Sequence, residues 1–179
     1  MKIFTKAIIV FCCAWLLCVP LAAQQQQQRD PLNDLESDQL REAAQEPYKR
    51  LKLMIKFTSE RLDTAEATQK QTEPRGRGQR IHDSLEDFRS LVDELDDNVD
   101  DFVQKQQDLR KALNEIISAE EDFNKRLKGL QERGQDPKLT EEYKQYSFAL
   151  QDAQEAVNLS LEDAKKTLEQ EAGATAKKK

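Results

Sequence analysis

Apolar side chains recur along most of this chain at steps of three and four residues, the spacing that lines up one face of an α-helix. The longest series is Ile81, Leu85, Phe88, Val92, Leu95, Val99, Phe102, Gln106, Leu109, Leu113, Ile116, Glu120, Phe123, Leu127 and Leu130. Thirteen of these fifteen slots are apolar and the steps alternate without a slip, which predicts one continuous coiled-coil-like helix over 80–133. At 1.5 Å per residue that helix would be roughly 80 Å long. The polar slots Gln106 and Glu120 are candidates for setting register, because a polar side chain on such a seam costs stability and disfavours other pairings.

The remaining elements follow from the same pattern and its interruptions. Leu32, Leu35 and Leu40 share a side and predict a helix over 32–45, which Pro47 ends or kinks for want of a backbone N–H. A second helix follows over 47–71, with Tyr48, Leu51, Ile55, Thr58, Leu62 and Ala65 on one face and Leu53, Met54 and Phe57 widening it. Pro74, Gly76 and Gly78 make 72–79 the clearest linker. Gly134 and Asp136-Pro137 then stop one helix and start the last, predicted over 138–171. Its seam reads Leu139, Tyr143, Tyr146, Leu150, Ala153, Val157, Leu161, Ala164 and Leu168, with one extra residue after Val157 that should locally relax the supercoil. Residues 172–179 read as a disordered basic tail.

These lengths predict an all-α fold of elongated antiparallel helical hairpins, a three-helix bundle built on one long central helix. The second and last helices would each cover half of the rod. Flanking positions Val103, Ala112, Ile117 and Ala119 broaden the seam at its middle, whereas Arg89, Asp96 and Asn98 keep it narrow near its start. Thin ends with a bare seam invite self-association, so the partner expected is another protein or a second copy in a homodimer.

The first residues change the setting. Lys2 and Lys6 precede a short apolar run, Ala7 to Val19, that ends at Pro20-Leu21-Ala22-Ala23, the layout of a signal peptide over 1–23 cleaved near Ala23. That run is shorter than the roughly 20 residues of a membrane span. Cys12, Cys13 and Cys18, together with Trp15, all lie inside it, so the mature chain contains no thiol. It begins with Gln24 to Gln28, and 24–31 reads as a disordered Gln-rich leader. The mature chain carries 26 basic and 34 acidic side chains, a net charge of −8. The expected location is the periplasm or the extracellular space, and such an acidic surface argues against nucleic acid as a partner.

Candidate chemistry is sparse. His82 is the one histidine, and its neighbours Asp83 and Ser84 point in different directions on a helix, so they cannot relay a proton to it. No phosphate loop or dinucleotide fingerprint is present, and neither catalytic residues, cofactor nor metal site is expected. The acidic stretch Asp93, Glu94, Asp96, Asp97, Asp100 and Asp101 lacks the glycine turn and alternating ligands of a calcium loop. It reads as a solvated face that pairs with Lys49, Arg50, Lys52, Lys56 and Arg61 across the first hairpin. Arg75, Arg77 and Arg80 in the linker complete the candidate interaction residues, with Lys49, Arg50, Lys52 and Lys56.

The function expected from this pattern is a non-catalytic helical interaction or structural protein of the cell envelope. A holdase-like chaperone is the alternative. A third reading is peripheral membrane binding through the basic amphipathic stretch 49–57, which fits if Leu53, Met54 and Phe57 face outward.

Overall fold

The computed structural model describes residues 29–177, and side chains to residue 173, so the expected signal peptide over 1–23 and Gln24 to Gln28 lie outside the described residues. Within that range the chain forms α1 (Asp34–Glu42), α2 (Pro47–Gln69), α3 (Arg77–Gln104), α4 (Arg110–Gly134), a 3-10 turn (Pro137–Leu139) and α5 (Thr140–Lys177). The all-α expectation holds, but the single rod does not.

Each boundary has a local cause. Asn33 and Glu36 form a reciprocal cap: the Asn33 side chain accepts from the Glu36 N–H and Glu36 accepts from the Asn33 N–H, which starts α1 two residues later than expected. Pro47 supplies the first turn of α2, where its missing N–H is not needed. Gly76, at φ +64°, lets the chain reverse so that α3 begins at Arg77. α5 runs to Lys177 rather than fraying at 172.

The expected rod breaks at Lys105–Leu109. The N–H of Gln106 donates to Val103 O at 2.9 Å and that of Gln107 to Phe102 O at 3.1 Å, while Gln106 adopts φ +56°. This is a Schellman cap with glutamine in the left-handed position that glycine usually fills. Gln106 is exposed in the turn and sets no register on a seam. The apolar phase nevertheless continues, because the seven-residue step from Phe102 to Leu109 spans the turn. All the other slots from Ile81 to Leu130 are buried, now on two antiparallel helices instead of one.

The result is a four-helix bundle, one helix more than predicted. α2 packs beside α3 and α4, and α5 packs beside the same two, so α3 and α4 face each other across the diagonal. Phe88 and Phe123 meet edge-on at that diagonal, 5.3 Å between centroids. Directions follow from cross-links: Arg50 to Asn98 and Lys165 to Glu121 join antiparallel neighbours, whereas Tyr48 to Glu115 and Arg77 to Glu142 join parallel ones.

The core fills both halves. Leu62, Ile81, Phe88, Leu127 and Tyr146 belong to one half, and Leu51, Phe57, Leu95, Leu113 and Ala164 to the other. With four helices covering one another, the thin ends and bare seam that suggested self-association are absent among the described residues. The α5 seam also corrects: Ser160, buried, takes the slot between Val157 and Ala164, so the heptad runs on without the expected slip at Leu161. Residues 29–31 of the expected leader are held, as Arg29 pairs with Asp87 and the Pro31 carbonyl accepts from Arg61 at 2.8 Å.

Candidate functional site

α2 and α4 run parallel and are tied at two levels. Tyr48 Oη donates to Glu115 Oε1 at 2.5 Å, and about three turns further along Arg126 donates to Ser59 at 3.1 Å and to Glu66 at 3.1 Å. Between these ties a groove enclosing about 650 Å³ opens to solvent. Its floor is Leu53, Ile55 and Ala119, of which Leu53 and Ile55 are half-buried. Small residues on α4, Ser118 and Ala119, leave the space that a larger side chain would fill.

The rim is asymmetric in charge. Lys49, Lys52 and Lys56 stand on the α2 wall, and Glu115 and Asp122 on the α4 wall. Lys49 pairs with Glu46 at 3.2 Å and Lys56 with Glu60 at 3.5 Å, while Lys52 lies 5.8 Å over the Tyr48 ring. All three lysines are exposed and their partners lie one turn away on or beside the same helix. Such contacts contribute only tenths of a kcal/mol up to about 1 kcal/mol, so an incoming anion can displace them.

Other candidate residues are engaged within the fold. Arg50 is fastened to Asn98 Oδ1 at 2.5 Å and Leu40 O at 2.7 Å, and its distance to Glu94 is 3.9 Å. It is the one member of the expected basic set that reaches the acidic stretch, because Arg61 turns instead to Glu36 and Pro31 on α1's side. Arg77 is buried and lies against both oxygens of Glu142 at 2.9 and 2.8 Å, with Gln71 O as a further acceptor. Arg80 caps the Arg75 carbonyl at 2.8 Å, so Arg77 and Arg80 knit the turn together, whereas Arg75 is exposed and contributes its backbone. The Ser84 hydroxyl donates to Arg80 O, away from His82.

Glu120, singled out on the seam, is fully buried and occupies the junction of three helices. Its Oε1 meets the hydroxyl of Ser160 on α5, which also lies 2.5 Å from Asp96 Oδ1 on α3. Burial pushes the Glu120 carboxyl up to about 8, against the opposing Ser160 hydrogen bond. Burial also raises Asp96 to about 6, with the nearby Asp163, Asp93 and Asp100 adding to the effect. Sequence reasoning missed Ser160. The available signal was a second polar seam slot, three residues after Val157, opposite a polar slot on a neighbouring helix.

Among the described residues no group of three or more His, Cys, Asp or Glu could hold a metal ion, and no helix is long and apolar enough to cross a membrane. The chain matches no known family model, no curated protein sequence and no solved structure.

Proposed function

We propose that this chain is an exported, non-catalytic interaction protein of the cell envelope that receives an amphipathic segment of a protein partner in the α2/α4 groove. The observation that carries this reading is the opening between the Tyr48 and Arg126 ties, with an apolar floor of Leu53, Ile55 and Ala119 beneath three exposed lysines. The distance between those ties suits about two to three turns of helix. An occupant with apolar residues one turn apart and carboxylates along one flank would bury the floor and face Lys49, Lys52 and Lys56. Met54 and Phe57 are buried, which withdraws most of the apolar face that a membrane surface would need and favours a protein occupant over lipid.

The test is selection from a displayed library of amphipathic helical peptides against the chain beginning at Gln24. Recovered sequences should pair apolar residues with an acidic flank, and their affinity should fall at least about tenfold on Leu53→Asp or on Lys52→Glu combined with Lys56→Glu. Equal binding to these variants overturns the site. Recovery of the natural chain from envelope or medium with Gln24 at its N-terminus tests export.

A holdase-like chaperone is the second reading, favoured by Phe148 and Leu159, 78% and 58% exposed on α5. Suppression of aggregation of a denatured client, lost on Phe148→Ser with Leu159→Ser but kept on Leu53→Asp, would favour it.

A further inference from the structure

Asp96, Glu120 and Ser160 come from α3, α4 and α5 and meet inside the bundle. The Ser160 hydroxyl has one proton to give, yet its oxygen is in hydrogen-bond contact with two carboxyl oxygens, Asp96 Oδ1 and Glu120 Oε1. If both carboxyls were ionised, one contact would set two acceptors against each other. The count closes when one carboxyl keeps its proton: Glu120 donates to Ser160, and Ser160 donates to Asp96.

The surroundings put that proton on Glu120. Its side chain is 0% exposed, and Oε2 has no partner, so an ionised Glu120 would leave charge on an oxygen without any donor. Asp96 is half-buried, less enclosed than Glu120, and keeps some contact with water. The other groups around the pair are Asp93 and Asp100 on α3 and Asp163 on α5, all adding negative charge, and Lys165 on α5, already paired with Glu121 of α4 at 3.0 Å. α2 adds no charge to Glu120. Oxygens in direct hydrogen-bond contact leave no space for a metal ion between them, whereas a proton needs none.

We propose that Glu120, Ser160 and Asp96 form a proton-held clasp that joins α3, α4 and α5, and that loss of its proton at alkaline pH loosens the C-terminal half of α5. The sign is set by the folded state binding a proton that the unfolded chain releases. Glu120 is raised from 4.5 to about 8, so its contribution is complete below 4.5 and is lost as pH rises toward 8. Within that window the folding constant falls by up to about tenfold per pH unit, levelling off above it. Asp96, raised from 3.8 to about 6, acts with the same sign over its own lower range.

Urea midpoints of the wild type and Glu120→Gln between about pH 5 and about pH 9 test the clasp, with groups other than Glu120 cancelling in the comparison. The glutamine variant should be the more stable at alkaline pH, and its advantage should shrink as the pH is lowered. A difference between the two proteins that stays constant with pH overturns the proposal. Should Glu120→Gln not fold, the carboxyl resonances of the wild type decide the matter. One Glu signal should titrate near pH 8, with faster hydrogen exchange after Val157 appearing in the same range, whereas a Glu120 carboxyl ionised at neutral pH overturns the clasp.

Discussion

The side-chain amide of Gln69 on α2 reaches across the bundle to the hydroxyl of Tyr146 on α5, 2.9 Å away, and also donates to the Leu130 carbonyl of α4 at 2.9 Å. Both residues are buried, so this amide fastens three helices largely away from bulk water. Tyr146→Phe keeps the ring's packing and removes the acceptor. The expected loss is about 1 to 3 kcal/mol, read as a lower urea midpoint at an unchanged denaturant slope. A wild-type midpoint would show that the amide finds another partner.

Gly134 ends α4 against the rings that open α5. A Cβ placed there would stand 2.4 Å from Tyr143 Cδ2 and 2.7 Å from the Tyr146 hydroxyl. Helix propensity alone says that Gly134→Ala should stabilise by up to about 1 kcal/mol. The close approach of the two tyrosines reverses that sign, and Gly134→Ala should cost about 1 to 3 kcal/mol. Gly173→Ala, with nothing within 4 Å, is the control that should follow propensity. Thermal unfolding of both variants separates the two effects.

Arg77 and Glu142 are a buried pair, with side chains 10% and 12% exposed. The Glu142 hydrogen bond raises the Arg77 guanidinium above its already high ordinary value, so the charge is permanent. Removing Glu142 leaves the Arg77 charge without a carboxylate inside the α3/α5 contact, with the Gln71 carbonyl still accepting from it. Glu142→Leu should therefore cost about 3 to 5 kcal/mol, and Arg77→Met with Glu142→Leu should recover much of it. A double-mutant cycle measures the coupling, and simple additivity would mean that the pair contributes nothing specific.

Glu36 is placed to contribute to stability against acid. Burial pushes its carboxyl up, but the Arg61 hydrogen bond, the Asn33 cap and the Arg61 and Lys56 charges outweigh that and hold it below 4.5. A lowered acid stabilises the fold above its unfolded value and ceases to do so as pH falls through the folded one. Glu36→Gln should be less stable than wild type at neutral pH, and the gap should close as pH drops below 4.5. Proteolysis around α1, followed against pH, checks it. A gap that persists in strong acid would assign the loss to packing.

Gln106 carries the strain of a left-handed residue with a side chain, at φ +56°. Gln106→Gly should relieve it, offset in part by the greater entropy of glycine in the unfolded chain, for a net gain of about 0.5 to 1 kcal/mol. A loss on substitution would mean that the glutamine side chain supports the turn.

Which parts of this fold were legible in the chain follows from what the helical period can encode. Seam slots are readable because each must be covered, and every predicted slot from Ile81 to Leu130 except Gln106 is buried. The break was hidden because Phe102 to Leu109 is one heptad whether the backbone continues or reverses, and because no glycine or proline marks the reversal. Ser160 was hidden by its neighbour Leu161, whose apolarity drew the reading off the seam by one residue. The candidate groove was half legible. Its lysines stood out by sequence, but the opposing wall of Ser118 and Ala119 comes from a helix expected to run as part of the rod.

The preserved phase across Lys105–Leu109 leaves the two arms of this molecule written in one frame. Were that turn to straighten, α3 and α4 would join into a single shaft without exposing a seam slot other than Gln106, and each half could be completed by the matching half of a neighbour. Domain exchange between two chains would thus keep the same seam slots turned inward on either side of the hinge, and Gln106→Leu, which makes the shaft's stripe unbroken, is the change that should favour an exchanged pair, read as a doubled mass in solution.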